Sequence, residues 1–257
     1  MARTIAICTQ KGGVGKTTTV ANLACAWGQR GARVLAVDFD PQFALTRRFG
    51  ISPAGRPTIC DVFGDGREVE SVIAGGEAFA GVDLLPSSRE LSSIELSLVG
   101  ERKREYFLAR ALADVVDRYD AVLVDCPPNL GLLTVNALCA CDEVVVPVDM
   151  EDVDALHGAE EVVALVRELV ETGDELDLLG VLRVVVDRRR QVYKAIVAEL
   201  EQSELPVLVT EIPDSVEFQK SAVVHEPLVT WQPQSDGAQA YVALADELGV
   251  PVPVEAR

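Results

Sequence analysis

Apolar residues occur along this chain in two patterns, short continuous runs and spacings of three and four residues. The two patterns take turns along the chain and predict a series of strands and helices. Short apolar runs with strand character lie at residues 4–8, 33–38, 82–86, 120–125, 143–148, 178–186 and 206–211. Apolar residues at spacings of three and four predict helices over 16–30, 101–118, 131–140, 153–171, 190–203 and 236–249. Strands that alternate with helices favour an α/β fold, with a doubly wound, mainly parallel sheet and helices on both faces.

Length and composition predict a single domain over residues 1–257. A chain of 257 residues, of which 49% are hydrophobic, is long enough to bury one sizeable core. The sequence contains no internal repeat, low-complexity tract or linker. The glycine-rich stretch from Gly50 to Gly81 is the most irregular segment, and no regular element is predicted there.

A glycine-rich loop between the first strand and the first helix is typical of a phosphate-binding site. The loop reads KGGVGKTTT from Lys11 to Thr19, and its glycines let successive backbone N–H groups point at a polyphosphate. The helix N-terminus adds a partial positive charge, while the lysine reaches the phosphates and the threonine hydroxyl ligates Mg²⁺. The sequence therefore predicts binding of a nucleoside triphosphate with Mg²⁺. The predicted nucleotide-binding residues of the loop are Lys11, Gly12, Gly13, Val14, Gly15, Lys16, Thr17 and Thr18.

Lys11 is a second lysine, placed at the very start of the loop, and it is poorly placed to reach the phosphates of its own chain. It could instead cross to the nucleotide of a neighbouring copy and stabilise charge that develops during phosphoryl transfer. Lys11 and Lys16 are therefore both candidate catalytic cations. The alternative for Lys11 is a solvated lysine at a strand end.

Two further strands end in carboxylates. Asp38 and Asp40 are two residues apart, so they share one face at the end of the second strand, and Asp125 ends the strand 120–125. Ligands of open α/β sheets bind at the carboxyl ends of strands. Asp125 therefore suits a role in holding Mg²⁺, usually through water. A strand-end aspartate can equally be a helix cap or a turn residue.

Taken in this order, the loop and the two strand ends resemble the signature segments of the ParA/MinD family of deviant P-loop ATPases, and are most similar to ParA/Soj-type partition proteins. The resemblance runs from Arg3 to about Val250. It implies a P-loop NTPase fold, slow hydrolysis of ATP, and an ATP-dependent homodimer in which Lys11 acts across the interface. It also implies sequence-independent DNA binding by that dimer and a ParB-like partner that stimulates hydrolysis.

The resemblance assigns roles to residues outside the loop. Asp40 is expected to position the attacking water or the Mg²⁺ shell, which makes it a candidate catalytic residue and metal ligand. Pro213 and Ser215 match positions that touch the adenine, and Glu151 is a candidate for the ribose of the partner's nucleotide or a surface carboxylate. Arg189 aligns with an arginine that serves DNA binding, and it lies between Arg188 and Arg190.

The charge of the chain opposes the DNA-binding part of this expectation. Forty-one acidic and 23 basic residues give a formal net charge of −18, and a negative field weakens binding to phosphate backbones. Asp214 and Glu217 stand in a loop where relatives usually carry arginines. The alternative function is therefore a positioning or regulatory switch that acts through a protein partner, with weak or no DNA binding.

The cysteines and the hydropathy of the chain bear on two other classes of protein, iron–sulfur proteins and membrane proteins. The six cysteines, at positions 8, 25, 60, 126, 139 and 141, form no C-x-x-C pair and are expected to be reduced core thiols of a cytoplasmic protein. An iron–sulfur reductase is the alternative that would use them as ligands. No apolar run approaches the roughly 20 residues that span a bilayer. The acidic last helix and the tail 251–257 lack the basic amphipathic character of a membrane-docking segment.

Overall fold

A parallel sheet forms the centre of the protein, as seen in a computed structural model that describes residues 2–79 and 81–249. The tail 251–257 therefore lies outside the described residues. The strands are β1 (Arg3–Ile7), β2 (Val34–Asp38), β3 (Ala74–Phe79), β4 (Val82–Leu85), β5 (Ala121–Asp125), β6 (Glu143–Asp149), β7 (Asp177–Val186) and β8 (Val207–Pro213).

The strand order confirms the predicted doubly wound α/β fold. Within the described residues the eight strands form one sheet in the order β3-β4-β2-β5-β1-β6-β7-β8. All neighbouring strands are parallel except β3 and β4, which are antiparallel. The chain winds from β1 outward in both directions, and this places the loops after β1, β2 and β5 side by side.

Helices cover the sheet and connect its strands. They are α1 (Lys16–Gly28), α2 (Ala44–Arg48), α3 (Ile59–Asp65), α4 (Leu91–Leu98), α5 (Phe107–Leu112), α6 (Leu132–Cys139), α7 (Ala155–Thr172), α8 (Gln191–Gln202), α9 (Val216–Val223), α10 (Leu228–Trp231) and α11 (Asp236–Leu248). Short 3₁₀ turns lie at Val69–Ser71, Arg104–Tyr106 and Val116–Arg118. Within the described residues, no helix has both the length and the apolar character needed to cross a lipid bilayer.

Two hydrophobic cores lie on opposite faces of the sheet, because successive strand residues point to opposite sides. In β1, Ile5 and Ile7 belong to the core that α1, α10 and α11 cover. Ala6 and the following Cys8 belong to the other core, together with side chains of α3 to α8. The helices on both faces explain why the central strands read as continuous apolar runs.

Several segments differ from the predicted elements, and the short helices α2, α4, α9 and α10 lie where no helix is predicted. The predicted helix 101–118 is broken, because Lys103 adopts a left-handed conformation with φ 53° and α5 begins only at Phe107. The stretch 50–81 contains α3 and β3, although no element was predicted there. A capping box begins α3, since Thr58 Oγ1 accepts from Cys60 N and Asp61 Oδ2 accepts from Thr58 N at 2.7 Å.

Candidate functional site

The candidate site lies where three parallel strands end together. Asp125 of β5 is in register with Ile7 of β1 on one side and with Asp38 of β2 on the other. The phosphate-loop candidate begins after β1, and the segment that carries Asp40 begins after β2. The order of the strands therefore brings together three segments from different parts of the sequence, the first and last of which lie more than a hundred residues apart.

The glycine-rich loop has the backbone of a phosphate cradle. Gly13 and Gly15 adopt φ values of 82° and 89°, which other residues rarely adopt, and α1 begins directly after Gly15. Lys16 is 6% exposed, and its Nζ donates to the carbonyl oxygens of Lys11 at 2.9 Å and Thr9 at 3.3 Å. The ammonium group is thus folded back against the loop and held near its concave side.

Thr17 and Asp125 form the part of the site that suits Mg²⁺. Thr17 Oγ1 donates to Asp125 Oδ2 at 2.7 Å, and Asp125 is fully buried. Asp125 Oδ1 has no hydrogen-bond partner among the described residues, so a buried carboxylate oxygen remains open to a cation or its water. Mg²⁺ in proteins commonly uses one or two carboxylates and completes its shell with water and substrate phosphates.

Asp38 and Asp40 lie close together at the end of β2 but have different surroundings. Asp38 is fully buried, and its Oδ2 accepts from Thr46 N at 2.7 Å and Thr46 Oγ1 at 2.6 Å. Asp40 is 8% exposed, and its Oδ1 accepts from Gln42 N at 2.8 Å. Asp38 therefore organises the loop before α2, whereas Asp40 lines the open cavity.

Burial shifts the titration of all three aspartates in the same direction. It raises the pKa of Asp38 to about 7 and raises the pKa of Asp40 above its usual range. The pKa of Asp125 is raised well above its usual range by burial first and by the neighbouring Asp38 second. A divalent cation would offset this cost of clustered negative charge, so the electrostatics fit a metal site.

A cavity of about 610 Å³ is bounded by the glycine-rich loop, Thr17, Thr18 and Asp40. An adjoining cavity of about 310 Å³ shares Gly13, Gly15, Thr18 and Arg48 with it, and extends to Pro213 and Ser215. The predicted phosphate and adenine residues therefore line two connected spaces, with Thr18 and Arg48 where the spaces meet.

The smaller cavity has a preorganised wall. Ser215 caps α9, because its Oγ accepts from Glu217 N at 3.2 Å. Val185 lines the same cavity with φ 56°, a left-handed conformation that is strained for a β-branched residue. Strained backbone of this kind clusters at binding sites. Val185 carries no signal for this conformation in the sequence.

The structure places Lys11 outside both cavities, in an ion pair with Asp152 of its own chain. The Lys11 side chain is 55% exposed. Lys11 also borders a separate cavity that contains Asp149 and Asp154, and these carboxylates help to raise its pKa after the hydrogen bond to Asp152. The predicted reach of Lys11 to a partner's nucleotide stays a prediction.

Glu151 and the three arginines also lie away from the phosphate loop, and each arginine has a carboxylate partner in the same chain. Arg188 Nε donates to Glu211 at 2.7 Å, while Arg189 Nε and Nη2 donate to the two oxygens of Asp187 at 2.8 and 2.9 Å. Arg190 Nη1 lies 2.6 Å from Glu151 Oε1. Each arginine of the run is thus ion-paired within the chain, although Glu211 is shared with the neighbouring Arg183.

Several residues of the site escaped the sequence analysis. Arg47, Arg48, Gln42, Pro128 and His225 border the larger cavity. Among these residues, His225 has its Nδ1 2.7 Å from the Arg47 carbonyl oxygen. Arg47 and Arg48 lie seven and eight residues beyond Asp40, and no motif in the sequence marks them as ligand-binding residues.

Replacement of Thr46 by valine tests the side-chain hydrogen bonds that Thr46 makes near Asp40. Thr46 Oγ1 donates to Asp38 and accepts from Ser87 N at 2.9 Å, so valine leaves a buried N–H unpaired. We expect Thr46→Val to lower the free energy of unfolding by about 2–3 kcal/mol in urea titrations. Thr46→Ser keeps the hydroxyl and should lose less than about 1 kcal/mol. Equal losses in both variants would contradict this role of the hydroxyl.

The cysteines do not have the character of cluster ligands. Cys139 is partly buried and the other five are buried. Burial raises the pKa of Cys25 and Cys139 to about 12, which favours the neutral thiol, whereas iron–sulfur clusters bind thiolates. In the part of the chain that the structure describes, no group of three or more His, Cys, Asp or Glu side chains is arranged to hold a metal alone.

Comparisons with known proteins agree with this geometry. Residues 2–178 match the model of the AAA domain family. The sporulation initiation inhibitor protein Soj of Bacillus subtilis is 38% identical over 96% of this chain and 98% of its own length. An uncharacterized protein of Mycobacterium tuberculosis is 42% identical, over 96% of this chain and 78% of its own length.

A solved structure shares both the fold and a third of the residues. The cobyrinic acid a,c-diamide synthase of Mycobacterium smegmatis, crystallised with bound ADP and magnesium, superposes with a TM-score of 0.84 and 34% identity. The superposition covers 96% of this chain and 94% of that protein.

Proposed function

This chain belongs to the AAA domain family and, within it, to the ParA/MinD-type partition ATPases, and on that premise we propose that it is an ATP-driven dimerising switch of the partition type. In this proposal ATP binding joins two copies, the ATP-bound homodimer binds DNA without sequence preference, and a ParB-like partner stimulates hydrolysis to separate the copies. The observation that carries the proposal is the phosphate cradle, which faces an open carboxylate oxygen of Asp125.

Different residues of the site bind the phosphates and the metal ion of Mg²⁺-ATP. The backbone N–H groups of the glycine-rich loop and the N-terminus of α1 hold the phosphates, and Lys16 donates to the β- and γ-phosphate oxygens. Thr17 and Asp125 would hold Mg²⁺, which neutralises charge on the phosphate oxygens when bound. The bound ADP and magnesium of the mycobacterial relative support this assignment.

Asp40 is the residue we propose to orient the attacking water. It borders the phosphate cavity, and its Oδ1 is fixed by Gln42 N, which leaves Oδ2 to accept a hydrogen bond from water. Positioning contributes most of the catalysis in phosphoryl transfer, because the protein does little covalent chemistry itself. Turnover by the chain alone is expected to be slow, since the dimer must persist long enough to be recognised.

Lys11 is proposed to link nucleotide state to dimerisation. Its exposed ammonium is held by Asp152 in the single copy, so it is available to exchange that partner for the phosphates of a second copy. An exposed ion pair contributes little stability, and the exchange is therefore inexpensive. A triphosphate bound by a second lysine in this way becomes part of the interface.

Arg188, Arg189 and Arg190 are the proposed DNA-binding residues. Their exposure, 91% for the Arg189 side chain, suits contacts to a phosphate backbone. A DNA-bound dimer would lie on the nucleoid. The carboxylates that pair with each arginine must then be displaced by DNA phosphates, which lowers the expected affinity and makes it strongly dependent on salt.

The same pairing favours a second candidate function, in which the ATP dimer is recognised by a protein and not by DNA. Asp187, Glu151 and Glu211 balance the three arginines within the chain. Glu217, which the structure places in the first turn of α9 and not in a loop, adds a carboxylate that pairs with Lys220. In a chain of net charge −18, these contacts support a readout through a partner protein.

DNA binding by the Asp40→Ala protein separates the two readouts. With Mg²⁺-ATP, we expect binding to nonspecific duplex DNA that falls at least tenfold between about 50 and 200 mM salt, and no binding with ADP. Arg189→Ala in the same background should weaken binding about fivefold to tenfold, as loss of one phosphate contact predicts. Fluorescence anisotropy with labelled DNA measures both effects.

Arg56→Ala is the matched control, because Arg56 is exposed and lies in a different loop. If both arginine variants lose affinity equally, the arginine run is not the contact surface. An ATP dimer that binds no DNA at low salt would refute the DNA readout and leave the protein-directed switch.

A further inference from the structure

Arg48, the last residue of α2, lies between the two cavities of the nucleotide site. Its Nη2 lies 3.3 Å from Thr18 Oγ1, on the first turn of α1. Its Nη1 donates to Phe218 O at 3.4 Å and to Ser221 Oγ at 3.2 Å, both on α9. Arg48 therefore connects the helix that begins the phosphate loop with the helix that lines the smaller cavity.

The charge of Arg48 lacks a direct counterpart. Its three hydrogen bonds go to neutral oxygens, and no described carboxylate forms an ion pair with it. Burial lowers the pKa of the guanidinium more than the nearby Tyr241 and Asp125 raise it, so burial is the dominant influence on its charge. A partly buried cation that faces a phosphate-binding cavity is stabilised by an anion there.

The position of Arg48 identifies which phosphate it meets. The α-phosphate joins the nucleoside to the other phosphates, so it must lie where the phosphate cavity passes into the adenine cavity. Arg48 and Thr18 line both cavities at that point, whereas Lys16 is held farther along the loop by Thr9 and Lys11. The terminal phosphates therefore lie toward Lys16 and the α-phosphate toward Arg48.

We infer that Arg48 is a nucleotide-binding residue that holds the α-phosphate and couples it to α9. This inference rests on the proposed ATP site. The hydrogen bonds of Arg48 are long, 3.2–3.4 Å, so the guanidinium can turn one N–H toward a phosphate oxygen while it keeps others on α9. One cation then fixes both the nucleotide and the helix beside the adenine.

The test is the affinity of Arg48→Gln for ATP and ADP, measured by calorimetric titration with Mg²⁺. Because both nucleotides carry the α-phosphate, we expect both Kd values to rise by the same factor, about 10-fold to 100-fold, as loss of a charge-assisted hydrogen bond predicts. Competition by AMP against a fluorescent ADP analogue should weaken by a similar factor. A loss confined to ATP would place Arg48 on the terminal phosphate and overturn the inference.

Arg56→Gln is the matched control for charge. Arg56 is exposed and borders neither cavity of the nucleotide site. Its replacement removes one positive charge, as Arg48→Gln does, but we expect less than a threefold change in Kd. Equal losses in the two variants would show a general field effect and refute the specific contact.

Further measurements separate a role of Arg48 in nucleotide binding from a structural role and from failure of the proposed ATP site. An Arg48→Gln protein whose melting temperature falls without nucleotide, but whose Kd for ADP stays within threefold of the wild type, would show a purely structural role. If Arg48→Gln does not fold, Arg48→Lys should raise both Kd values threefold or more, since an ammonium lacks the two-armed geometry; unchanged values would refute the inference. Failure of the wild type to bind ATP would refute the proposed function itself. If Lys16→Ala loses nucleotide binding while Arg48→Gln binds ATP and ADP as the wild type does, this inference alone is refuted.

Discussion

Lys11→Ala is expected to bind ATP with a Kd within about threefold of the wild type and yet to form no ATP-dependent dimer. The structure places the Lys11 ammonium outside the two nucleotide cavities of its own chain, on Asp152, so its removal leaves the cradle around Lys16 intact. A cation that contacts only the partner's phosphates stabilises the dimer and the charge of the transition state. Hydrolysis should therefore fall at least 100-fold, and light scattering with Mg²⁺-ATP should report a single copy.

Asp152→Ala is the control for this experiment, because it breaks the same ion pair and keeps the lysine. We expect this variant to dimerise with ATP at least as well as the wild type. A nucleotide-dependent dimer of Lys11→Ala would refute the role across the interface. Loss of the dimer in both variants would show that the ion pair itself, and not the free lysine, supports the interface.

Asp40→Ala should have the opposite effect, with an ATP dimer that persists because hydrolysis is at least 100-fold slower. The ATP-binding residues are untouched, so the Kd for ATP should stay within about threefold of the wild type. Phosphate release under single-turnover conditions measures the rate, and size-exclusion chromatography measures the dimer. Unchanged hydrolysis would exclude Asp40 from catalysis.

Asp40→Asn and Asp65→Asn sharpen this result. Asp40→Asn keeps an oxygen that can accept from Gln42 N, so it tests the charge without disturbing the loop. Asp65 is exposed at the end of α3, and its replacement should leave hydrolysis unchanged.

Burial raises the pKa of Asp40, so the carboxylate is protonated at a higher pH than an exposed aspartate. As the pH is lowered, wild-type hydrolysis should consequently decline at a higher pH than the protonation of an exposed aspartate would give.

Local chemistry explains which parts of the site could be predicted. The glycines of the loop and the lysine-threonine pair are required within a few residues of each other, so a phosphate cradle leaves a contiguous signature. The strand-end aspartates were predictable for a similar reason, since an apolar strand and its first polar residue are adjacent in sequence. Their approach within the sheet follows from the general preference for parallel, right-handed connections.

Arg48 and the arginine run 188–190 show why other parts were not predictable. Nothing adjacent to Arg48 in sequence indicates that it contacts Thr18 or α9, because those partners are 30 and about 170 residues away. The run 188–190 resembles a basic patch in sequence, but Arg188 pairs with Glu211 and Arg190 pairs with Glu151, both far away in the chain. Long-range pairing of this kind depends on the packing of β6, β7 and β8.

The sequence by itself determined the alternation of strands and helices, the phosphate loop and the order of the strand-end aspartates, because each depends on periodicity or on residues close together in the chain. Only the tertiary structure decided which charges are free, which are paired and which face the nucleotide. Lys11 lies on Asp152, Asp38 is bound to Thr46, and Arg48 bridges two helices. The physical reason is that charge interactions act over a few ångströms in space, whatever the separation along the chain.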